Sequence, residues 1–567
     1  MSVRSKRHRA RRTAAGSTGA ETDKPTPRST RSPSPGCAGT STPRTTFDDA
    51  PKRARPDAKR SVASSATSPE RSIATSPPPD DRHHQPLQPL DIHRGINRLP
   101  LGAALITFRR NRPRAAWRPG YRAAVRPRLR YAAPLVLALV LSAACSGEDE
   151  PSSAETTSAG GGAEVVRVPA DAATITEAVG AVAEGGLVLV DAGTYPEAVV
   201  VDKADVTIRG ADRNAVVVDG EGERAIGILG IADGVRVQNL TATRHTLAGV
   251  LISGVHDETG NVPGDAYTSE EPEEELLQRY EVRNVTSTNN GLYGIYAFHS
   301  QHGAIVDSYA SGGADSGFYL GQCVDCDAVV TGNVAERNAV GFENANASGG
   351  VLITGNRFAG NRVGLTLTSD YQEAFVPQRD NLVVGNVITD NVQADSPAQA
   401  EGGFGVGIGI AGGQQNVIER NLIGGNTTAG TLISSAEDVP ALDNRFVANT
   451  FSANRYDIAD ISTDRAPSTG TCLDGNGFAS VLPEAIATAV CPAGTPAISG
   501  VTLTDVPAAP PGVPFLDVTL PGPQPGMEGD LTAVPEPLPD TPERPATDAL
   551  PVPDAGLLAD RSALTAG

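Results

Sequence analysis

Residues 351–365 read VLITGNRFAGNRVGL, and this stretch contains the pattern that decides the fold. A short β-branched run at 351–354 is followed by Gly-Asn, by a second Asn five positions later, and then by Gly with an apolar residue after it. Residues 328–342, just before this stretch, read AVVTGNVAERNAVGF and repeat the same order. Short β-branched runs punctuated by Gly and Asn are typical of strands joined by turns.

Three registers of this pattern recur along the chain with nearly the same period, about 23 residues, which is within the range of repeat architectures. The glycine register contains Gly227, Gly249, Gly294, Gly317, Gly341, Gly364, Gly407 and Gly430, and the gaps after Gly249 and Gly364 are close to two periods. The first asparagine register contains Asn333, Asn356, Asn386, Asn421 and Asn444, and the second contains Asn338, Asn361, Asn391, Asn426 and Asn449. Registers that move together indicate an internal repeat in which each period is one structural unit.

A period of this length fits one coil of three short strands, stacked on the next coil at the strand spacing of about 4.8 Å. Asn tolerates left-handed backbone angles, and Asn at one position of successive coils can stack into an amide ladder. A leucine-rich repeat needs a fixed Leu pattern, and a β-propeller needs aromatic blade signatures, whereas aromatic residues make up only 4% of this chain. We therefore predict an all-β fold, a right-handed parallel β-helix of about ten coils over residues 163–465.

The start of this region also carries a resemblance. Residues 173–182 have the pattern of a short amphipathic helix, and two β-rich segments follow at 185–195 and 199–210. This order resembles the N-terminal cap and first coils of pectate-lyase-like and NosD-like β-helix proteins, over roughly residues 163–460. The resemblance implies either a protein that acts on polysaccharide or a non-enzymatic accessory protein of the cell envelope.

The charge of the chain divides it into two regions. Residues 1–144 contain 28 Lys and Arg and 9 Asp and Glu, a net charge of +19, whereas residues 145–567 contain 19 and 57, a net charge of -38. The acidic region excludes nucleic acid as a partner, because phosphate binding needs clustered Lys and Arg. Residues 1–124 are rich in Arg, Pro, Ser and Thr, and we expect them to be disordered, since they bury too little apolar surface to fold.

Residues 125–144 have the pattern of an export signal. A positive segment at 125–130 precedes an apolar run at 132–144, which is shorter than the about 20 residues that span a bilayer. The end of the run, Ser142-Ala-Ala-Cys145, resembles the lipobox of bacterial lipoproteins. The resemblance implies that Cys145 is lipidated and anchors the protein to the membrane, on the extracellular face of the cell envelope. Residues 145–162 then read as a flexible tether.

Four further cysteines remain in the exported region. We expect the disulfides Cys323–Cys326 and Cys472–Cys491, since an even number of cysteines in an oxidising compartment favours pairing. The second disulfide would close a cap of residues 466–497 over the last coil. From residue 498 the chain is Pro-rich and acidic, and we expect a disordered tail over 498–567.

Three inserts interrupt the repeat. They lie at about 255–279, at 370–380 and at 392–403, and each enters just before or just after the strand that carries the Gly-apolar pair. Loops on one edge of a repeat array usually build its binding face. We therefore expect the functional groove on the outward face of that strand's sheet, although ordinary tolerated insertions are the alternative.

Alternation along that strand selects the candidate site. The residue after each glycine should point inward and the next one outward, so the outward positions in the middle coils are Tyr296, Tyr319 and Glu343, with His299 three positions after Tyr296. These four are our candidate catalytic residues. The candidate substrate-binding residues at the rim are Tyr293, His302, Asp370 and Arg379. The alternative is a stacked tyrosine pair that only stabilises the sheet, with histidines that are ordinary turn residues.

Tyrosine offers an apolar face for sugar rings and a hydroxyl group for hydrogen bonding, and a His–Tyr pair can act as base and acid. Lyase or epimerase chemistry on a uronate also needs a cation, which Arg337 or Arg379 would supply. Glu343 with Asp370 is the candidate carboxylate pair of a glycosidase. No metal motif is evident; Ca²⁺ is the one candidate cofactor, at the acidic residues Glu270, Glu271, Glu273, Glu274 and Glu275.

These features favour an exported, lipid-anchored, monomeric β-helix protein whose partner is an extracellular polysaccharide. A protein that only binds the polymer and an enzyme that also modifies it, as a lyase or a uronate epimerase, remain open. The second class of function is a non-enzymatic envelope scaffold or accessory protein similar to NosD-like proteins.

The position of the export signal generates the first prediction. We expect translation to begin at Val125, because a signal peptide belongs at an N-terminus. Intact-mass and N-terminal analysis of the native protein should find a lipidated Cys145 as the first residue. Peptides from residues 1–124 in the native protein would refute the start at Val125.

Overall fold

The computed structural model describes residues 161–257, 276–370, 373–399 and 402–564, and the regular secondary structure of these residues is almost entirely β-strand. One helix, α1 (Ile175–Ala181), lies near the start, and three short 3-10 helices follow the strands at Glu484–Thr488, Phe515–Asp517 and Ala559–Arg561. The strands form three parallel sheets, of 12, 11 and 10 strands. The predicted right-handed parallel β-helix is confirmed.

Each coil contributes one strand to each sheet, in the order A, B, C. Sheet A contains β1 (Ala163–Val168), β2 (Val182–Val190), β5 (Thr207–Gly210), β8 (Arg236–Gln238), β11 (Leu277–Arg283), β14 (Ser300–Val306), β17 (Val329–Thr331), β20 (Leu352–Thr354), β23 (Leu382–Val384), β26 (Val417–Glu419), β29 (Arg445–Val447) and β32 (Cys472–Asp474). Sheet B contains β3 (Gly193–Tyr195), β6 (Val216–Asp219), β9 (Thr241–Thr243), β12 (Thr286–Thr288), β15 (Tyr309–Ser311), β18 (Val334–Ala335), β21 (Arg357–Phe358), β24 (Val387–Thr389), β27 (Leu422–Gly424) and β30 (Thr450–Ser452).

Sheet C carries the Gly-apolar pairs. It contains β4 (Val199–Val201), β7 (Ile226–Gly230), β10 (Ala248–Ile252), β13 (Tyr293–Phe298), β16 (Ser316–Val324), β19 (Val340–Ser348), β22 (Val363–Thr368), β25 (Val406–Ala411), β28 (Ala429–Ser434), β31 (Ile458–Asp460) and β33 (Val481–Leu482). The residue after each glycine points into the solenoid, and the inward column of sheet C contains Ile228, Val250, Ile295, Phe318, Phe342, Leu365 and Ile408, all of them buried in the main core.

Asparagine side chains form ladders at the corners of the coils. Asn356 is typical, because its backbone N–H and its side-chain Nδ2 both donate to Oδ1 of Asn386 at 3.0 Å. The ladder between sheets A and B contains Asn333, Asn356, Asn386, Asn421, Asn449 and Asn476, and the ladder between sheets B and C contains Asn338, Asn361, Asn391, Asn426 and Asn454. The ladders satisfy corner N–H groups that have no strand partner.

The predicted asparagine registers are wrong in one coil. Asn421 donates to Asn449 rather than to Asn444, and Asn426 donates to Asn454. Asn444 instead accepts from Asn416 in a third, shorter ladder between sheets C and A. The slip arises because that coil is longer than a regular one. Asn421 and Asn449 lie 28 residues apart, whereas the first two rungs of the same ladder lie 23 residues apart.

The two ends of the core are covered. At the start, Ile175, Ala178 and Val179 of α1 are buried, and Lys203 donates to the carbonyl oxygens of Val179, Gly180 and Val182 at the C-terminal end of the helix. At the other end, Ile486 is buried in the core beside the disulfide Cys472–Cys491. This disulfide and Cys323–Cys326 both form as predicted.

The C-terminal tail differs from the prediction. The sequence predicts disorder for 498–567, whereas residues 498–564 lie against the β-helix as an extended chain. Side chains of the coils donate to the tail's carbonyl oxygens, and these donors are Arg209, Arg213, Arg236, Arg279, Arg357, Arg362, Arg420, Arg455, Asn214, Asn284 and Asn289. A Pro-rich chain has few N–H groups but keeps its carbonyl acceptors, so arginines can hold it without a strand ladder.

The tail covers two of the three sheets. Arg209, Arg236 and Arg279 lie on strands of sheet A, and Arg357 lies on a strand of sheet B. Near its end the tail supplies the donor instead of the acceptor. The guanidinium group of Arg561 in the tail donates to the carbonyl oxygens of residues 307, 308 and 332 in the coils. The prediction of disorder rested on the low apolar content of the tail. It did not take into account the hydrogen bonds between arginine side chains and the tail's carbonyl groups.

Several predictions concern residues outside the described ranges. These are the region 1–124, the signal 125–144, the lipidated Cys145, the tether up to residue 160, and the acidic residues of the insert from Glu270 to Glu275. In the described ranges no helix is long and apolar enough to cross a membrane.

The ladders generate a stability prediction. Asn386 is fully buried and its amide makes hydrogen bonds to Asn356, Asn421 and two carbonyl groups. Asn386→Ala should lower the free energy of unfolding by about 3 kcal/mol or more, since each buried group left unpaired costs about 1–3 kcal/mol. Urea unfolding followed by circular dichroism measures the change. Asn476→Ala, at the half-buried last rung, is the control; equal losses in both variants would contradict the ladder's role.

Candidate functional site

The predicted outward column of sheet C is confirmed by the strand register. Tyr296 pairs with Leu251 on one side and with Tyr319 on the other, and Tyr319 pairs with Glu343. Glu343 in turn pairs with Thr366. These side chains stand on the outer face of sheet C, called the sheet C face below, and their aromatic members form a cluster separate from the main core.

The three inserts flank this face on both edges. The 255–279 and 370–380 inserts leave sheet C after β10 and β22, and the 392–403 insert enters sheet C before β25. In the described residues, His256 of the first insert packs edge-on against Tyr296, with ring centroids 5.5 Å apart. Glu373 of the second accepts a hydrogen bond from Gln322, and Gln399 of the third donates to Asp315 at 2.7 Å.

Three tyrosines meet on the sheet C face. The rings of Tyr293 and Tyr296 are stacked with centroids 4.1 Å apart, and Tyr319 packs edge-on against Tyr296 at 4.7 Å. Tyr319 lies along its own strand because Gly321 leaves room: a Cβ there would lie 2.7 Å from the tyrosine hydroxyl oxygen. Tyr296 and Tyr319 are only 4% and 5% exposed, whereas Tyr293 is half-buried. Tyr293 is therefore the tyrosine that a large ligand reaches first.

Two carboxyl groups lie beside the tyrosines. Asp315, at the corner before β16, is hydrogen-bonded to the carboxyl group of Glu343, and it also accepts from the Tyr293 hydroxyl at 3.0 Å. Burial, with the neighbouring Asp315, holds the pKa of Glu343 well above its ordinary value, and burial also raises the pKa of Asp315. Two carboxyl groups in contact cannot both ionise cheaply, so this geometry favours a single proton shared between Asp315 and Glu343.

An unpaired oxygen supports this reading. Oε2 of Glu343 is buried and accepts no hydrogen bond of good geometry from the described residues, although the hydroxyl group of Ser316 lies beside this carboxyl group. A buried carboxylate oxygen without a donor is costly, and a proton held between Glu343 and Asp315 supplies the missing donor. The hydroxyl oxygen of Thr366, next in the column, is also buried without a partner in that part of the chain.

Sequence reasoning missed Asp315 and Gln399. Asp315 stands two positions before Gly317, at a corner rather than at an alternating strand position. The signal available was an acidic residue beside the glycine register in the coil that also carries Tyr319. Gln399 left no signal, since its contact depends on the path of the 392–403 insert.

His299 is brought to the same region but is deeply buried. Its ring packs against Phe298 and Phe375, with centroids 4.7 and 5.7 Å away, and neither ring nitrogen has a hydrogen-bond partner in the described chain. Burial lowers the pKa of His299 to about 4, and burial and the nearby His299 lower the pKa of His256 to about 4. A neutral imidazole without access to solvent or to a proton donor is poorly placed to act as a base.

The other predicted rim residues are divided between sheet A and the edge of the sheet C face. His302 is on sheet A, where its Nδ1 meets Gln278 at 2.9 Å. Arg379 pairs with Asp380, and its backbone bridges to Ser348 and Gln414. Asp370 begins the 370–380 insert, where its backbone N–H donates to Asn346 at 2.8 Å. The partner of Glu343 is therefore Asp315 rather than Asp370.

The geometry limits the chemistry of the site. A glycosidase needs carboxyl groups at least about 5 Å apart, whereas those of Asp315 and Glu343 are in hydrogen-bonding contact. Arg337, the other proposed cation, is paired with Glu336. The arrangement offers aromatic rings, a proton-sharing carboxyl pair and an amide, which is a set for hydrogen bonding and stacking.

The shared proton generates a pH prediction. Because the folded pKa of Glu343 lies above its ordinary value of 4.5, its contribution to stability is present below that value and is lost as pH rises through the raised pKa. Glu343→Gln, which mimics the protonated acid, should therefore unfold at a higher temperature than the wild type at pH 8, and the difference should shrink at pH 4. Thermal unfolding by circular dichroism measures it.

The exposed Glu223→Gln variant, which removes a carboxyl group outside this pair, is the control. The buried histidines His299 and His256 change the stability in the opposite direction, since their stabilising effect is lost as pH falls from 6.5 towards 4. Because the variant and the wild type both contain these histidines, comparing the two proteins at the same pH cancels this effect. A flat difference for Glu343→Gln would rule out the shared proton.

Comparison with known proteins finds a similarity to one family, over one segment of the chain. Residues 232–401 match the family model described as "Periplasmic copper-binding protein (NosD)", whereas no curated protein matches the chain. The Azotobacter vinelandii mannuronan C-5 epimerase AlgE4 A-module is similar at 20% identity, over 54% of this chain and 89% of that one, with a TM-score of 0.34.

Pectate lyase Pel9A is similar at 16% identity, over 59% of this chain and 75% of that one, with a TM-score of 0.33. The Dettilon tailspike protein is similar at 13% identity, over 58% and 70%, with a TM-score of 0.35. At these TM-scores the likeness carries no argument about activity.

The copper in the family's description can be tested against the residues present. In the described ranges, the four cysteines are paired in disulfides, Met527 is the one methionine, and no three His, Cys, Asp or Glu side chains converge. Soft sulfur donors and imidazoles are what copper sites use, so these residues do not fit a copper centre. The chain is a parallel β-helix protein of which residues 232–401 are similar to NosD.

Proposed function

We propose that this protein is exported, anchored to the cell envelope through Cys145, and binds an extracellular polysaccharide on the sheet C face. One observation carries the proposal. Three tyrosines and a hydrogen-bonded carboxyl pair meet on this face, between inserts that enter from both of its edges. Aromatic rings that stack on sugar rings, beside acceptors for their hydroxyl groups, are the elements of a carbohydrate site.

The charge of the site favours an uncharged polymer. Asp315 and Glu343 carry one negative charge between them while they share a proton, and Arg337 and Arg379 are already paired with Glu336 and Asp380. A uronate brought beside this pair meets like charge without a compensating cation. Neutral sugars, whose hydroxyl groups can donate to Asp315, fit the site better.

Binding fits the geometry better than catalysis. A lyase or an epimerase needs a base at the sugar carbon beside the carboxylate and a cation on that carboxylate. Of the proposed pair, Tyr296 is 4% exposed and His299 is fully buried among aromatic rings. Tyr293 and Asp315 retain partial exposure, and they are the groups that a polymer would contact.

A non-enzymatic scaffold similar to NosD-like proteins is the second candidate. It is favoured by the extent of the family match, since residues 232–401 include the first two inserts and most of the third. The scaffold is also favoured by the burial of Tyr296 and Tyr319, because buried tyrosines can stabilise the sheet by packing without contacting a ligand. In that case the sheet C face would hold a protein partner.

Binding measurements on a panel of neutral and uronic-acid polysaccharides, with and without Ca²⁺, separate these functions. The proposal predicts binding to a neutral polymer, and Tyr293→Ala should weaken it roughly tenfold, the effect of losing one stacked ring. Tyr456→Ala, a half-buried tyrosine at the far end of the solenoid, is the matched control.

Ultraviolet absorbance of unsaturated sugar ends and an assay of reducing ends should stay silent on the same panel. New absorbance would establish a lyase and overturn the binding-only conclusion. Absence of binding to every polymer would favour the scaffold.

A further inference from the structure

The C-terminal tail passes over one of the inserts that flank the sheet C face. The backbone N–H of Val513 donates to the carbonyl oxygen of Ser396 at 3.1 Å. A Cβ at Gly512 would lie 2.5 Å from the backbone nitrogen of Ala398, so tail and insert are in direct contact there. Residues 510–513 of the tail thus lie against residues 396–398 of the 392–403 insert.

Arg362 joins the two segments. Its guanidinium group donates to the carbonyl oxygens of Pro510 and Pro511 in the tail, both at 2.8 Å, and its Nε donates to the hydroxyl oxygen of Ser396 in the insert at 3.0 Å. Arg362 is only 1% exposed. A buried cation that loses part of its acceptors is strongly disfavoured, so tail and insert are energetically coupled through this residue.

The same insert reaches the candidate site. Gln399 directly follows Ala398, the insert residue that contacts Gly512, and its side-chain amide donates to Asp315 at 2.7 Å. The insert enters before β25, so Gln399 reaches past β22 and β19 to the corner of β16. Its amide takes an acceptor position on Asp315 that a sugar hydroxyl would otherwise use.

We propose that the C-terminal tail is an internal strap that holds the 392–399 segment over the sheet C face, so that release of the tail opens the site. The identity of the ligand that would enter the opened site rests on the proposed function. The contact that holds the 392–399 segment in place does not depend on it. Tail, Arg362, insert and Asp315 form one continuous series of hydrogen bonds.

The tail is suited to release. Residues 505–514 are largely exposed, and between the described strands and this segment there is no strand ladder. Segments with few buried apolar contacts and exposed hydrogen bonds open at a lower free energy than the core. The coils, with their asparagine ladders, stay folded when such a segment leaves.

Arg362→Ala in the full-length chain tests the strap. Hydrogen exchange of residues 392–399 and hydroxyl-radical oxidation of Tyr296 and Tyr319 should each rise several-fold, because the insert loses its link to the tail. Arg357→Ala is the matched control: Arg357 also donates to tail carbonyls, at Ala555 and Leu557, but not to the insert, and it should leave both readouts unchanged.

A milder pair of variants guards against misfolding. Val513→Pro removes the backbone N–H group that donates to Ser396. Val506→Pro is the control, because the backbone N–H group that it removes makes no hydrogen bond to the described residues. Only the first should increase exchange and oxidation. Unchanged protection in both Arg362→Ala and Val513→Pro would overturn the strap.

Polysaccharide binding separates the two proposals. Tighter binding of a neutral polymer by Arg362→Ala than by the wild type supports both. Increased oxidation of Tyr296 without binding in any variant leaves the strap supported and overturns the proposed function.

Discussion

Asparagine amides at the corners of the coils are the constraint on which the rest of this structure depends. A strand pairs its N–H and carbonyl groups with the coils above and below, but a corner residue cannot do so. Here Oδ1 of one asparagine accepts both the backbone N–H and the Nδ2 group of the asparagine in the adjacent coil. The corners therefore repeat in register, and the strands between them stay aligned from one coil to the next.

The aligned register of the strands turns sequence position into spatial columns. Tyr296, Tyr319 and Glu343 are each separated by a whole coil of sequence, with Asn338 and Gly341 between the last two, yet they are direct neighbours on sheet C. Where the coil grows, it grows at corners, and three such inserts enter beside this face. The face is consequently enclosed, which explains why the pKa of Glu343 is raised and the pKa of His299 is lowered: desolvation penalises the charged form in both cases.

The tail adds a second level of organisation. Arginines on sheets A and B hold its carbonyl groups, so those two faces are occupied by the protein's own chain. The sheet C face is left to the inserts, and one of them is tied to the tail through Arg362. Which face is open to a partner is thus decided by the parts of the chain that do not belong to the repeat.

The sequence by itself determined the repeat, the parallel β-helix, both disulfides, and the outward column of Tyr296, Tyr319 and Glu343, because period and alternation are local properties that every coil restates. Only the tertiary structure decided the slip of Asn444 into a third ladder, the partnership of Glu343 with Asp315 rather than Asp370, the burial of His299, and the ordered path of the tail. Each of these depends on where a corner or an insert places a side chain relative to distant residues. Periodicity carries no information about such irregular segments, whose contacts follow from packing and hydrogen bonding in three dimensions.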